Sequence, residues 1–464
     1  MPSGPDGFVA DPAYRTEFER ARGLVLGHPG RWRVIYHYDA DGIASASSIL
    51  RAFSRLGYAA QATALSGVER ERMAELLRAT ASPVLVADTG ASWLDLYGGH
   101  PHPVVVLDHH QYPGVPTPPA LPSHVALVNP LDWGVDGMSE MCAATLSWLF
   151  TIFLDPRNWD NAAWGLSGGI GDRQHVGGFR GLNRLLVDEA VRRSLVVRRA
   201  GLPLFGASVG AAVSTSIDPF VRGLSGHPSE TAAFLASVGV EADRSPASLS
   251  PEESARLASA LRDRLVATRV PPEALELIDQ ERWFLPALGL DAEEVSNRQS
   301  AAGRARSPGL GIAFALGDRA AAERLRRAEE GWRGGILKGL LRLEEEGVNS
   351  MSFLQWFESP DTTLAGTQAG MAILYLLDPN RPVFVLSHGE RGPSKVSARA
   401  TRGLVERGLD LAAACREAAR SVGGEGGGHR IASGATIPAG AAPAFLEAAD
   451  RVIGGQIAPV AGVP

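Results

Sequence analysis

Between residues 31 and 128 the chain alternates short apolar runs with stretches of helical pattern. The runs "RVIYHY" (33–38), "PVLVAD" (83–88), "VVVLDHH" (104–110) and "HVALVNP" (124–130) are β-rich and apolar on consecutive positions, as strands covered on both faces are. Between them "IASASSILRAFSRLG" (43–57) and "VERERMAELLRATA" (68–81) read as helices. Such alternation predicts a mainly parallel sheet with helices on its faces. A helix-rich continuation runs from about 139 to 198. It contains "AATLSWLFTIFL" from Ala143, too short to cross a membrane and better suited to a buried helix. From about 200 to 290 the pattern is helical and less regular. At the break "DRSPASLSPEES", Ser250 and Glu253 have capping-box spacing around Pro251, so a helix should begin there. A second α/β unit is expected to begin near "GRARSPGLGIAFALG" (303–317) and to continue through "PVFVLSHG" (382–389) and "KVSARA" (395–400). The expected domains are therefore 1–198, a helical connecting or lid region 199–300, and 301–464.

Composition narrows the picture. The 464 residues are 45% hydrophobic and 21% charged, which suits a globular protein of two or three domains. No signal peptide or membrane-spanning run stands out, and Cys142 and Cys415 are the only cysteines. A disulfide framework is excluded, and a cytoplasmic location is the simplest expectation. The formal net charge of −6 gives no global attraction to polyanions, so a nucleic-acid site would have to be a local basic patch. Lys338 and Lys395 are the only lysines, a bias toward arginine that fits a G+C-rich genome.

Three of the strands end alike: the first in His37, Asp39 and Asp41, the second in Asp88, the third in Asp108, His109 and His110. The carboxyl ends of parallel strands border one crevice, so these side chains should converge. Taken singly, an aspartate after a strand is usually a turn or helix cap. Together they would repel one another without cations, and imidazole with carboxylate suits Mn²⁺ or a similar divalent ion. Asp172 in "GLSGGIGDRQ" is a further candidate, brought close by the glycines before it. So many ligand-type residues suit two ions that share a bridging carboxylate and activate water.

A second site-like feature is "VGGEGGGHRIASGA" (422–435). Its glycines, Gly426, Gly427 and Gly428 among them, would let backbone N–H groups wrap an anion, with His429 projecting from the loop. Upstream, "KVSAR" places Lys395, Ser397 and Arg399 on one face of a strand.

Taken in order, "YHYDADG", "VADTG", "LDHH" and "GGIGDRQ" resemble the motifs of the DHH phosphoesterases, and "KVSAR" followed by "GGEGGGHRIASGA" is similar to their DHHA1 domain. "GGIGDRQ...GLNRLL", "DPFVRGLSG" and "KVSARATRGLVERG" look like the archaeal RecJ-like nucleases, the branch that includes the GINS-associated nuclease. The resemblance implies an active site in the cleft between a DHH domain and a DHHA1-like domain. It implies two divalent ions, Mn²⁺ first and Mg²⁺ second. One would be held by His37, Asp41 and Asp88, the other by Asp39, Asp88, His109 and Asp172, with Asp88 bridging. His110 would touch the scissile phosphate, and Asp108 would orient a neighbouring histidine. Lys395, Arg399 and the loop 426–429 would bind the substrate's phosphate or terminal nucleotide. Where many relatives with small substrates have another aspartate after the first-motif glycine, this chain has Ile43.

The leading expectation is thus a metal-dependent exonuclease acting on single-stranded DNA or RNA, with Arg304 and Arg306 as candidate backbone contacts. Two others stand beside it: a phosphoesterase of short oligonucleotides, nucleotide phosphates or cyclic dinucleotides, and a replisome scaffold associated with GINS. No membrane partner is expected. Strand polarity, and DNA against RNA, are not legible in the motifs.

Overall fold

The computed structural model describes residues 12–66, 70–112, 115, 120–278, 280–387 and 392–457. Residues 68–69 of the expected helix and 388–389 of "PVFVLSHG" lie outside them. The chain forms two compact units, 1–200 with 281–330, and 201–280 with 331–464.

The first unit is built on a five-stranded parallel sheet of β1 (Arg31–His37), β2 (Ala59–Leu65), β3 (Val84–Ala87), β4 (Val104–Leu107) and β5 (Val125–Val128), in the order β2-β1-β3-β4-β5. Alternate residues feed two cores, which is why β3, β4, β5 and Val34–Tyr36 of β1 are apolar at consecutive positions. Leu85, Ala87, Val105, Leu107, Ala126 and Val128 join the helices Ala40–Arg55 and Ala143–Leu154 on one face. Val84, Val86, Val104, Val106, Val125 and Leu127 meet Met73, Leu76, Leu77 and Trp93 on the other. The Ala143–Leu154 helix is buried along its whole length, as its unbroken apolar run predicts.

Edge strand β2 was not anticipated. "AAQATAL" has one β-branched residue, Thr63, and no aromatic, and its pairing with β1 rather than its composition makes it a strand. The stretch 200–290 is likewise not purely helical. A small antiparallel sheet joins β6 (Val197–Ala200), β7 (Glu281–Leu285) and β8 (Leu290–Asp291).

The second unit carries a six-stranded mixed sheet of β9 (Asn349–Ser350), β10 (Gln355–Glu358), β11 (Val383–Ser387), β12 (Ser394–Arg399), β13 (Glu425–Gly428) and β14 (Ala432–Ile437), in the order β13-β14-β12-β11-β10-β9. One face is packed by the helices Leu411–Ser421 and Ala442–Gln456. On the other, Phe357, Val383 and Val385 pack against the Ala365–Tyr375 helix and the helical residues of 201–280. The Pro251–Ala267 helix begins on the capping box of Ser250 and Glu253, as its sequence predicts.

The cuts at 200/201, 280/281 and 330/331 divide the expected connecting region between the two units. They also place "GRARSPGLGIAFALG" in the first, where its helices pack on the Ala40–Arg55 helix. The second unit's strands begin only at β9. Arg304 accordingly ends the Ala292–Arg304 helix of the first unit, and Arg306 follows it, exposed, with φ 54°.

Candidate metal centre

The register carries three strand ends to one place. Tyr36 is level with Ala87 and Ala87 with Leu107 on the adjacent strands β1, β3 and β4. His37, Asp88 and Asp108 therefore follow one another along the carboxyl edge. Asp39 caps the Ala40–Arg55 helix, its Oδ1 accepting from Gly42 N at 3.1 Å, and its Oδ2 lies 3.0 Å from His37 Nδ1. Asp41, within the first helical turn, accepts from Ala143 N and Ala144 N at 2.9 and 2.8 Å. The N-terminus of the Ala143–Leu154 helix thus grips its carboxylate. Asp172 arrives from the end of the Ala162–Gly171 helix. A Cβ at Gly168 would sit 2.2 Å from Ala144 Cβ and 2.8 Å from Asp41 Oδ1, so glycine is what lets that helix come so near.

His109 Nε2 faces Asp88 Oδ1 at 3.3 Å, Asp172 Oδ2 at 3.5 Å and Asp41 Oδ2 at 3.7 Å. His110 turns outward, 41% exposed at its side chain, with Nδ1 held by Asp108 Oδ1 at 2.8 Å. Asp108 is fully buried and also accepts from Ala91 N, His109 N and His110 N. Three tight groups of donor atoms result: His37, Asp39 and Asp88; Asp41, His109 and Asp172; and Asp88, His109 and His110. Asp39 therefore lies with His37, and Asp41 with His109 and Asp172, an exchange of these two aspartates relative to the expected division. Two residues apart, they straddle the start of a helix, where a step of two rotates the side chain by about 200°.

Asp88 has positive φ, 60°, uncommon outside glycine though tolerated by aspartate and asparagine. Both its carboxylate oxygens are buried without a hydrogen bond of good geometry, and so is His37 Nδ1. Orphaned buried acceptors in a ring of carboxylates and imidazoles fit divalent cations. The titration of the cation-free cluster has the same cause. Burial, with Asp172 and Asp88 nearby, pushes Asp41 well above the usual carboxylate range. Burial and the neighbouring Asp88 and Asp39 push Asp172 up to about 7 against the pull of His109. Burial would lower the two imidazoles, but the carboxylates around them outweigh it and hold His37 and His109 well above their ordinary value. Burial likewise acts to raise Asp88, yet His109 and His37 hold it below the carboxylate range. Protons stand here where metal charge would otherwise do so.

Residues 363–455 match the DHHA1 domain family. An uncharacterized protein of Methanocaldococcus jannaschii is 26% identical over 438 residues, covering 93% of this chain and 95% of its own. The fold resembles RecJ from Thermus thermophilus in complex with Mn²⁺ (TM-score 0.59, 20% identity, 97% of this chain). It also resembles CDC45 from Entamoeba histolytica (TM-score 0.64, 10% identity, 98% of this chain and 100% of that one). This chain spans 56% of the length of the RecJ chain. The chain thus has a RecJ-like fold, and its residues 363–455 are similar to the DHHA1 domain.

Within the DHHA1 domain, Lys395, Ser397 and Arg399 do share one face of β12, level with Thr436, Gly434 and Ala432 on β14. Lys395 and Ser397, with Thr362, Ser387, Glu425 and Thr436, line a groove of about 450 Å³ that also touches Gly426 and Gly434. Arg399 lies along the same face, beside Gly366, where a Cβ would meet its guanidinium at 3.1 Å. The glycine run is not the loop expected from its composition. Glu425–Gly428 is strand β13, paired antiparallel with β14, and the turn begins at His429, whose N–H donates to Ala432 O. A Cβ at Gly426 would lie 2.4 Å from Cys415 O, so this glycine allows tight packing on the Leu411–Ser421 helix, whereas Gly427 faces open space. His429 is exposed beyond the strand end. Thr362, Ser387, Glu425 and Thr436 went unnoticed in the sequence because they are scattered over separate elements. The two-residue period of "ASGATI" could have set Thr436 beside Gly434.

A Cβ at Gly303 would meet Tyr38 O at 2.1 Å, so the end of the Ala292–Arg304 helix, and Arg304 with it, abuts the end of β1. No helix among the described residues is long and apolar enough to cross a membrane.

Proposed function

We propose that the protein is a metal-dependent exonuclease that hydrolyses terminal nucleotides of single-stranded DNA or RNA. The observation that carries this reading is the ring of carboxylates and imidazoles around the orphaned oxygens of Asp88, on a RecJ-like fold. His37, Asp39 and Asp88 would hold one divalent ion, and Asp41, Asp88, His109 and Asp172 the other, Mn²⁺ first and Mg²⁺ second. Bound ions would neutralise the phosphate and supply activated water. Asp88 belongs to both sets and would set their spacing. Asp108 accepts from His110 and leaves its imidazole partly exposed, where it would touch the scissile phosphate. Lys395, Arg399, the Gly426–Gly428 strand and His429 would bind the strand's phosphate or terminal nucleotide. Arg304, at the end of β1, is a candidate backbone contact.

The likeness to CDC45 along the whole chain favours a second, compatible role, attachment to GINS or another replisome protein. Strands of DNA and RNA labelled at either end, incubated with Mn²⁺ and with EDTA, test the main reading. Release of mononucleotides in Mn²⁺ alone is expected. Full activity in EDTA, or cleavage confined to dinucleotides or nucleotide phosphates, would sink it in favour of a metal-free or a small-substrate enzyme.

A further inference from the structure

Behind His109 runs a chain of buried amides. Gly137 O accepts from His109 Nδ1 at 2.7 Å and from Gln174 Nε2 at 2.8 Å. Gln174 Oε1 in turn accepts from Asn183 Nδ2 at 2.6 Å. Gln174 is 5% exposed and Asn183 0%, so water does not compete for these atoms. A carbonyl can only accept, so the imidazole nitrogen facing it must carry a proton and the Gln174 atom facing it must be the amide nitrogen. Gln174 then offers only its oxygen to Asn183, which must answer with NH₂. One arrangement of protons makes all three of these hydrogen bonds, leaving Asn183 Oδ1 without one among the described residues.

Its far end is fixed as well. Asn183 N donates to Glu140 O at 2.9 Å, tying the Gly181–Arg192 helix to the turn that carries Gly137. That turn is laced by Asp136, whose side chain accepts from Met138 N and Ser139 Oγ. A Cβ at Gly137 would fall 2.3 Å from His109 O, so only glycine brings this carbonyl under the imidazole.

We infer that Gln174 and Asn183 are positioning residues, which act through Gly137 O to anchor the Nδ1–H of His109, with Nε2 aimed among Asp41, Asp88 and Asp172 and able to give up its proton to a bound cation. The inference rests on the metal-site reading above. An imidazole ligand needs its outer nitrogen anchored if its inner one is to keep direction, and loss of such a partner weakens metal binding by about 10- to 100-fold.

The test uses the full chain. Gln174→Met keeps volume and removes both hydrogen bonds. Asn183→Asp keeps shape but presents an acceptor to Gln174 Oε1, forcing the amide to turn and face Gly137 O with oxygen. Mn²⁺ binding is measured by electron paramagnetic resonance of the free ion, and the melting temperature without metal is measured alongside. In parallel, the Mg²⁺-loaded chain labelled with ¹⁵N-histidine reports the Nδ1–H resonance of His109, assigned by its loss in His109→Ala. Each variant should bind one class of Mn²⁺ about 10- to 100-fold more weakly, and its His109 Nδ1–H signal should shift or broaden. Wild-type affinity with an unmoved signal in either folded variant would overturn the inference while leaving the metal site standing. A wild-type chain that binds no Mn²⁺ would overturn both. Should Gln174→Met fail to fold, Asn183→Asp, nearly isosteric, decides alone.

Discussion

The carboxyl edge of the first unit's sheet and the open face of the second unit's sheet both gather polar side chains around glycines, yet they are different kinds of surface. At the first, Asp41, Asp88, Asp108 and His109 are almost wholly buried, and among the described residues Asp88 has His37 and His109 near it but no hydrogen bond of good geometry. At the second, Lys395, Glu425, Thr436 and His429 are exposed and can be satisfied by water. A buried set of like charges is costly without a ligand, whereas an exposed polar groove is stable whether or not anything occupies it. The first region fits a bound cation. The second is an open polar groove.

Asp88→Asn breaks the comparison most sharply. Asparagine tolerates the positive φ but cannot neutralise two ions, so phosphodiester hydrolysis should fall on the order of a thousandfold. The fold should survive, but His37 and His109 hold Asp88 ionised in the folded chain, so the melting temperature without metal should fall somewhat. Retention of half the wild-type turnover would refute Asp88 as a shared ligand.

Arg399→Ala and His429→Ala should act on the other surface alone. Losing a charged contact to phosphate costs about 1.5–3 kcal/mol, so kcat/KM on oligonucleotides should fall roughly ten- to a hundredfold. Mn²⁺ affinity and hydrolysis of bis-p-nitrophenyl phosphate should stay near wild type. Parallel loss on both substrates together with metal content would reduce the second unit to structural support.

The buried cluster should also respond to pH in a way the groove does not. Asp172 titrates near 7 in the folded chain against an ordinary 3.8, so the folded state holds an extra proton between those values. Its contribution to stability is full below about pH 4 and is lost as the pH rises through about 7. Asp41 is raised in the same direction, and His37 and His109, raised above 6.5, keep their contribution to higher pH. Asp88, held low, works oppositely, but only around and below 3.8. In EDTA the melting temperature should therefore fall from about pH 6 to about pH 9, and Mn²⁺ should remove most of that fall. A flat profile in EDTA would mean that the cluster is less crowded with charge than its geometry indicates.

The smallest effect separates the two uses of glycine within one strand. Gly426→Ala drives a methyl group into the backbone at Cys415 and should cost about 1–3 kcal/mol, read as a lower melting temperature. Gly427→Ala meets nothing and should melt like wild type, with at most a modest change in oligonucleotide KM.

The parallel sheet of the first unit was legible in the sequence, since strands buried on both faces are apolar at consecutive positions, as β3, β4, β5 and Val34–Tyr36 of β1 are. The sequence also determined that His37, Asp88 and Asp108–His110 meet, because parallel strands end on one edge. Only the tertiary structure decided which of Asp39 and Asp41 faces His109, since that depends on where a helix starts to turn. Only packing against the Leu411–Ser421 helix made a strand of a glycine run whose composition reads as a loop. The amides behind His109 were out of reach for the same reason: Gly137, Gln174 and Asn183 share no periodicity with His109. Their contacts are long-range, and a single chain of letters records local preference far better than the meeting of segments that are distant in sequence.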